Sequence, residues 1–393
     1  MTGNIKLNLI VVCFLAFILL DSCKSEKNKN IELENSVNFD EDVFENKKNN
    51  PNQTKKDKQF LANFQKEYWD FYSLWGGFLV ARNGQIIYEN YSGFFDKEKQ
   101  IKNNFDKSIH IASISKVLTA TLILKLIEAN VLELNQKITT LFPTFPYPDI
   151  AIKTLLNHRS GLVKYGDFTS DKTIWDKSKF LSNKDVLALL IKHKPDLYFT
   201  PNTKFTYSNT NYVLLALIIE KVTNKTYSEA LKHYLFEPLK MNHSFVYSPS
   251  NANKAAKSYY YGGNKLFQMD YLDLIYGDKN IYSTPRDLLK LDKALYSNKF
   301  LSKALKDSAY KGYSYESSGV KNYGLGMRMM EWEDGKKILY HNGWWHGNNT
   351  VYVRIEKDSI AIIALGNKYS NKVYDAFDLI GYFSGYPFEL KKN

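Results

Sequence analysis

The chain is poor in cysteine: among 393 residues there are only two, Cys13 and Cys23, both near the amino end. Everything after Cys23 therefore lacks a thiol, which excludes a structural disulfide or a Cys-ligated metal there. Arginine is scarce as well. Of 53 basic residues only five are Arg (Arg82, Arg159, Arg286, Arg328 and Arg354), against 48 Lys. Guanidinium forks make most bidentate phosphate and base contacts, so the net charge of +12 does not argue for a nucleic-acid partner. It reads as solvated surface with a general attraction to anionic wall or membrane. Glycine (20) and proline (10) are too few for a collagenous or low-complexity chain. No apolar run follows Leu7–Leu20 that is long enough for a polytopic membrane protein. There is no Gly-x-Ser-x-Gly and no His-Glu-x-x-His, which disfavours an α/β-hydrolase triad and a zinc protease. No metal and no cofactor is expected. What is present is apolar and aromatic: 44% hydrophobic residues, with 29 Tyr and 24 Phe, enough to bury a large core.

Lys6, the apolar run Leu7–Leu20 and a small residue at Ser22 have the order of a secretory signal peptide. Leu20-Asp21-Ser22-Cys23 resembles a bacterial lipobox, with Asp21 where a small or apolar residue is usual. The resemblance implies a signal peptide over residues 1–22 and a lipid anchor on Cys23. Residues 23–59 are rich in Lys, Asn, Asp and Glu and read as a flexible tether. The folded domain is expected over residues 60–393. The expected location is the cell envelope, lipid-anchored, at the outer membrane facing the periplasm.

Phe60, Phe64, Tyr68 and Phe71 have helical spacing. Asn83-Gly84 between two apolar segments, 77–82 and 85–90, predicts a hairpin with a type I′ turn. The spacing predicts helices from Ser113 to Ala129 and over 183–193, 211–223 and 227–236. Thr284-Pro285 opens another, to about Tyr296. Strands are expected at 336–341, 349–356 and 359–366, with a last helix around 370–382. Strands at both ends of a helical middle predict an α+β protein, and no internal repeat is visible.

Ser-x-x-Lys occurs three times, at Ser113, Ser308 and Ser318, and 28 Ser with 48 Lys would produce about three by chance. Context separates them. Only Ser113 opens a sustained apolar helix, Val117 to Ile127. On a helix Ser113 and Lys116 share a face. The helix start supplies backbone N–H groups for a developing oxyanion. Burial disfavours an ammonium, which would let Lys116 accept the serine proton. Tyr207-Ser-Asn209 precedes the apolar segment Tyr212–Ile219, and His341-Asn-Gly343 ends a short strand. A structural role is expected for His158.

The longer phrases resemble one family. Ile111-Ala-Ser-Ile-Ser-Lys-Val-Leu-Thr-Ala120, Thr154-Leu-Leu-Asn-His-Arg-Ser-Gly-Leu162, Phe205-Thr-Tyr-Ser-Asn-Thr-Asn-Tyr212 and Phe236-Glu-Pro-Leu-Lys-Met241 stand in the order of the serine β-lactamase-related hydrolases. Gly277-Asp278 to Ser283-Thr284 matches a further landmark. That family holds class C β-lactamases, D-alanyl-D-alanine carboxypeptidases and esterases. The resemblance implies a two-lobed β-lactamase/penicillin-binding-protein-like fold, an antiparallel sheet flanked by helices plus a helical lobe. It implies that Ser113 is the acylated nucleophile and that Lys116 with Tyr207 is the general base and acid. Asn209 would bind the acyl side, and His341 would stand for the cation of the third motif. Gly343 would complete that motif, and the N–H groups of Ser113 and Trp344 would form the oxyanion hole. His341-Asn-Gly-Trp-Trp-His346 departs from the Lys-Thr-Gly of classical β-lactamases. A neutral His is a weaker carboxylate anchor, which favours an ester or a D-amino-acid peptide over a β-lactam. A class C-like β-lactamase and a catalytically silent wall-binding lipoprotein are the alternatives. The expected partner is a small-molecule or peptidoglycan-like substrate, with the membrane reached by the anchor only and the protein a monomer.

Overall fold

Asn83 and Gly84 both take positive φ, 51° and 70°, the backbone a type I′ turn requires. They join β1 (Gly76–Arg82) to β2 (Gln85–Ser92) as the amino-terminal edge of the main sheet. This computed structural model describes Val43, Phe44 and residues 47–386. The expected signal peptide and Cys23 lie outside the described residues. Short strands follow: β3 (Phe94–Asp96), β4 (Ile101–Lys102), β5 (Ile109–His110), β6 (Phe245–Val246) and β7 (Ile281–Ser283). The carboxyl-terminal strands are β8 (Lys321–Tyr323), β9 (Arg328–Glu331), β10 (Lys337–Trp345), β11 (Asn348–Ile355) and β12 (Ile360–Gly366).

The main sheet is antiparallel, in the order β2-β1-β12-β11-β10-β9-β8. Strands from both chain ends meet where Gly76–Arg82 runs against Gly366–Ile360. One face buries Phe78, Val80, Val351, Val353, Ile360 and Ile362 beneath α1 (Pro51–Phe64) and the terminal helical segment 371–384. On the sheet's other side stands Arg354, fully buried and paired at 2.7 Å with Asp292.

The second lobe is helical. Every residue of α2 (Ser115–Glu128) from Ser115 to Leu126 is buried, as expected of a helix that is apolar all round. It packs on α4 (Thr210–Thr223), which in turn packs on α3 (Asn183–His193). α5 (Pro285–Tyr296) starts as the Thr284-Pro285 signal predicts, Thr284 accepting from the Asp287 N–H. The architecture is the α+β, two-lobed one, with β5, β7 and β6 forming a small sheet between nucleophile segment and helical lobe.

Three differences from the sequence expectations have physical causes. Helix α1 starts at Pro51, inside the segment read as tether, because Asn50 caps it by accepting from the Asn52 and Gln53 amides. Asp57 is buried there, accepting from Arg82 Nη2 (2.8 Å), Tyr382 Oη (3.0 Å) and Gln53 Nε2 (2.8 Å). Strand β10 runs on to Trp345, since β11 pairs with it from Leu339 to Trp345. Strands β8 and β9 have no sequence signal; they are short, with charged residues at their ends, and exist because β10 offers β9 an edge and β9 offers one to β8.

Candidate active site

Ala112 is held at φ 48°, a left-handed conformation rare outside glycine, directly before Ser113. The chain leaves β5, turns sharply at Ala112 and enters α2 through a 3₁₀ turn, Ala112–Ile114. Ser113 is left half-buried at the inner end of the helix. Lys116, one turn on and fully buried, donates from Nζ to Ser113 Oγ at 3.1 Å and to the Asp278 carbonyl at 2.7 Å. Asp278 follows Gly277, whose φ of 92° and contact with the Tyr212 carbonyl leave no room for a Cβ. Thr119 Oγ1 reaches the Gly277 carbonyl at 2.7 Å, and Ser115 Oγ accepts from the Ile281 amide. Helix α2 is thereby stitched to the 277–281 loop along the turn that carries Lys116.

Tyr207 enters from the helical lobe. Its ring centroid lies 5.1 Å from Lys116 Nζ and 6.4 Å from the His341 ring. His158 supports this segment, as expected. Its Nδ1 accepts from the Ser208 amide (3.3 Å), and its ring packs 4.3 Å from that of Tyr207. Asn209 stands at the N-cap position of α4 without a side-chain capping bond, and its buried Oδ1 has no protein partner.

Strand β9 pairs with β10 only over Lys337–Tyr340, so His341–Trp345 forms an open edge beside the nucleophile turn. Gly343 sits against that turn. Trp344 follows, 61% exposed, its side chain turned to solvent. His341 itself is fully buried. Burial, reinforced by the Arg328 and Lys116 cations, holds its pKa well below the usual 6.5, so the ring is neutral at neutral pH. Its Nδ1 faces the Asn342 carbonyl at 2.8 Å and its Nε2 faces Tyr323 Oη at 3.2 Å.

The structure thus brings Ser113, Lys116, Tyr207, His341 and Gly343 to one place, with Asn209 two residues beyond Tyr207 and Trp344 directly after Gly343. It divides the Tyr259–Tyr261 segment. Tyr259 is buried against Trp75 and accepts from the Lys97 amide, while Tyr260 and Tyr261 are exposed. His346 turns away from the nucleophile to pair with Asp273 at 2.9 Å.

Two groups were missed from sequence. The Arg328 guanidinium lies 4.8 Å from the Tyr207 ring centroid and 5.9 Å from that of Tyr323, with Nε unpartnered. It places a buried positive charge beside the Tyr207 ring, and no motif marks it. Lys279 is also buried. Its Nζ donates to Tyr165 Oη and lies 4.6 Å from the Trp345 ring centroid, with Asp278 at 3.5 Å. Burial depresses its pKa, partly opposed by Asp278 and Asp273. No group of three or more His, Cys, Asp or Glu fit to hold a metal occurs among the described residues.

A serine hydrogen-bonded to a buried lysine, with a tyrosine beside that lysine and an open strand edge opposite, defines a serine hydrolase of the penicillin-binding type. A sequence model described as Beta-lactamase matches residues 64–382, and the chain belongs to that family. It is 33% identical over 316 residues to a penicillin-binding protein of Bacillus subtilis (strain 168), covering 76% of this chain and 69% of the relative. It is 32% identical over 234 residues to a teichoic acid D-alanine hydrolase of Staphylococcus aureus (strain MRSA252), covering 58% of this chain and 55% of that protein. The chain therefore spans little more than half the length of that hydrolase. The fold matches a penicillin binding protein from Bacillus halodurans, with a TM-score of 0.70 at 23% identity, covering 81% of this chain and 98% of that one. It also matches a D-amino acid amidase from Ochrobactrum anthropi SV3, with a TM-score of 0.63 at 24% identity, covering 77% and 90%.

Proposed function

We propose that this serine hydrolase is exported and cleaves an ester or amide of a D-amino acid through an acyl-enzyme on Ser113. The observation that carries the reading is Lys116 Nζ, 3.1 Å from Ser113 Oγ and anchored on the far side by the Asp278 carbonyl. Ser113 Oγ attacks the substrate carbonyl carbon while its proton passes to the Lys116–Tyr207 pair. The oxyanion forms at the N–H groups of Ser113 and Trp344, and Asn209 Nδ2 binds the acyl side. The pair returns the proton to the leaving oxygen or nitrogen as the carbonyl re-forms, giving an ester on Ser113. Water then attacks that ester with the same groups in reverse.

The named activities of two similar proteins, D-alanine hydrolysis and D-amino acid amide hydrolysis, support the D-amino acyl class. The neutral His341 and the exposed Trp344 favour such a substrate over a β-lactam. Attachment by a lipid on Cys23, at the outer membrane facing the periplasm, belongs to the same proposal. It rests on the leader-like run Leu7–Leu20.

Wild type and Ser113→Ala should be incubated with a fluorophosphonate serine probe and a panel of D- and L-alanyl esters, D-amino acid amides and a chromogenic β-lactam. Labelling and D-selective turnover by wild type, both absent from the mutant, are expected. Equal labelling of both proteins would remove Ser113 as nucleophile. A wild type that is labelled by nothing and turns over nothing would leave the wall-binding lipoprotein.

A further inference from the structure

Four hydrogen bonds form an unbroken line from the tip of the β10–β11 hairpin to the residue before the nucleophile. At the hairpin, Trp345 Nε1 donates to Asp273 Oδ1 at 2.6 Å, and His346 Nε2 lies 2.9 Å from the same oxygen. The Asp273 main-chain carbonyl accepts from Asn280 Nδ2. Asn280 Oδ1 faces His110 Nε2 at 3.0 Å. His110 Nδ1 accepts from the Ala112 N–H at 3.0 Å. All five side chains lie on the wall of a cavity of about 200 Å³ that includes neither Ser113 nor Lys116.

The direction of every bond follows from chemistry. A backbone N–H can only donate, so His110 Nδ1 must carry a lone pair and Nε2 must carry the hydrogen. Nε2–H then donates to Asn280 Oδ1, which leaves Asn280 Nδ2 to donate to the carbonyls of Asp273 and Ile275, as observed. One tautomer and one amide orientation satisfy the whole line. Asp273 is saturated too, because its Oδ2 also accepts from the Asp270 amide.

We propose that His110 is the positioning residue of the nucleophile turn, joined through Asn280 and Asp273 to the strand end that carries the oxyanion hole. The inference rests on the acyl-enzyme reading of Ser113. Two flanks of the hole are set by different parts of the chain: Ala112 and Ser113 on one side, Trp344 and Trp345 on the other. The left-handed Ala112 would relax towards an ordinary conformation unless its N–H were held. His110 holds it from β5, where the strand pairs with Tyr282. Asp273 holds the indole next to the oxyanion donor. The line ties the two flanks to one spacing.

The groups facing His110 are Tyr282, whose ring packs edge-on at 5.0 Å, and the charged or titratable Asp273, Lys279 and His346. Burial pushes the His110 pKa down to about 4, against the opposing pull of Asn280 and Asp273. Above that pH the ring stays neutral and Nδ1 stays an acceptor. A second proton would set N–H against N–H at Ala112.

Two substitutions separate the ends of the line. In His110→Asn the side-chain oxygen takes the place of Nδ1 and can still accept from Ala112. In His110→Gln the amide can reach Asn280 but offers Ala112 nothing. The readouts are the fluorophosphonate labelling rate and kcat and KM on the best ester, with unfolding followed alongside. Loss of the Ala112 bond should slow labelling and kcat by about ten- to a hundredfold in His110→Gln at nearly constant KM. His110→Asn should recover most of that rate. Equal rates in wild type and His110→Gln, or equal losses in both variants, would overturn the inference. Absence of labelling in wild type would overturn the hydrolase reading and this one with it. A measurement without variants gives a second check: long-range ¹H–¹⁵N spectra of the imidazoles should show His110 as the neutral Nε2–H tautomer at pH 7. An Nδ1–H or charged ring at that pH would refute the positioning role.

Discussion

Gly343 lies so close to Ser113 that a Cβ placed on it would stand 2.7 Å from the Ser113 amide nitrogen and 2.7 Å from Ala112 Cβ. Neither neighbour can yield, since one is backbone and the other belongs to the constrained turn before the nucleophile. The open edge of β10 and the start of α2 touch only because position 343 has no side chain.

Gly343→Ala should therefore push the strand from the nucleophile turn and spoil the geometry of the oxyanion donors. A loss of about 10²–10³ in kcat is expected. Circular dichroism should show the fold retained. Full activity in a folded Gly343→Ala protein would mean that the two segments need not touch.

Lys116 Nζ reaches Ser113 Oγ at 3.1 Å and lies 5.1 Å from the Tyr207 ring centroid, and the two side chains are proposed to share one proton. Lys116→Met and Tyr207→Phe should each lower the labelling rate by about 10²–10⁴. The double variant should be little worse than the worse single one, because groups that act as a unit are not additive. Two losses that multiply would assign them to separate steps.

Asp57, buried against Arg82 and Tyr382, ties a residue before position 60 to the folded domain. Asp57→Ala leaves the Arg82 guanidinium and the Tyr382 hydroxyl without their shared acceptor, at a cost of roughly 1–3 kcal/mol. A protein starting at residue 60 also loses most of α1 and should unfold at lower denaturant still. Urea midpoints for the three proteins give the order, and an unchanged midpoint in the truncated protein would restore the tether reading of 51–59.

Three buried imidazoles, His110, His158 and His341, have pKa values held down chiefly by burial. The unfolded chain takes up protons on these rings near pH 6.5, and the folded chain does not. Their contribution is therefore complete above about pH 6.5 and falls as the pH drops, for His110 until about 4. Between those limits His110 alone accounts for about 3 kcal/mol. Urea unfolding from pH 7 to 4 should show wild type losing that much more than His110→Asn. Parallel losses would mean that His110 is protonated in the folded protein.

Much of the site was legible because its parts are local. Ser113 and Lys116 are three residues apart on one helix, and the apolar character of that helix separated them from the matches at Ser308 and Ser318. Asn83-Gly84, Thr284-Pro285 and the strands around 349–366 were legible for the same reason, a short pattern with a single backbone solution. Arg328 was not legible, because its nearness to Tyr207 depends on β9 pairing with β10, and β9 is too short to carry a period. His110, Asn280 and Asp273 were silent too. Each is an ordinary polar residue until tertiary contacts bury it beside the others.

The sequence by itself determined the α+β class, the family, and which serine, lysine, tyrosine and histidine could take part. These rest on helix and strand periodicity and on phrases whose meaning does not depend on distant residues. Only the tertiary structure decided that residues 51–59 are helical, which cation stands beside Tyr207, and which side chains His110 and Asp273 meet. Burial and long-range hydrogen bonds decide those points. A buried Asp57, a neutral His341 or an oriented Asn280 exists only once segments far apart in the chain exclude water from one another.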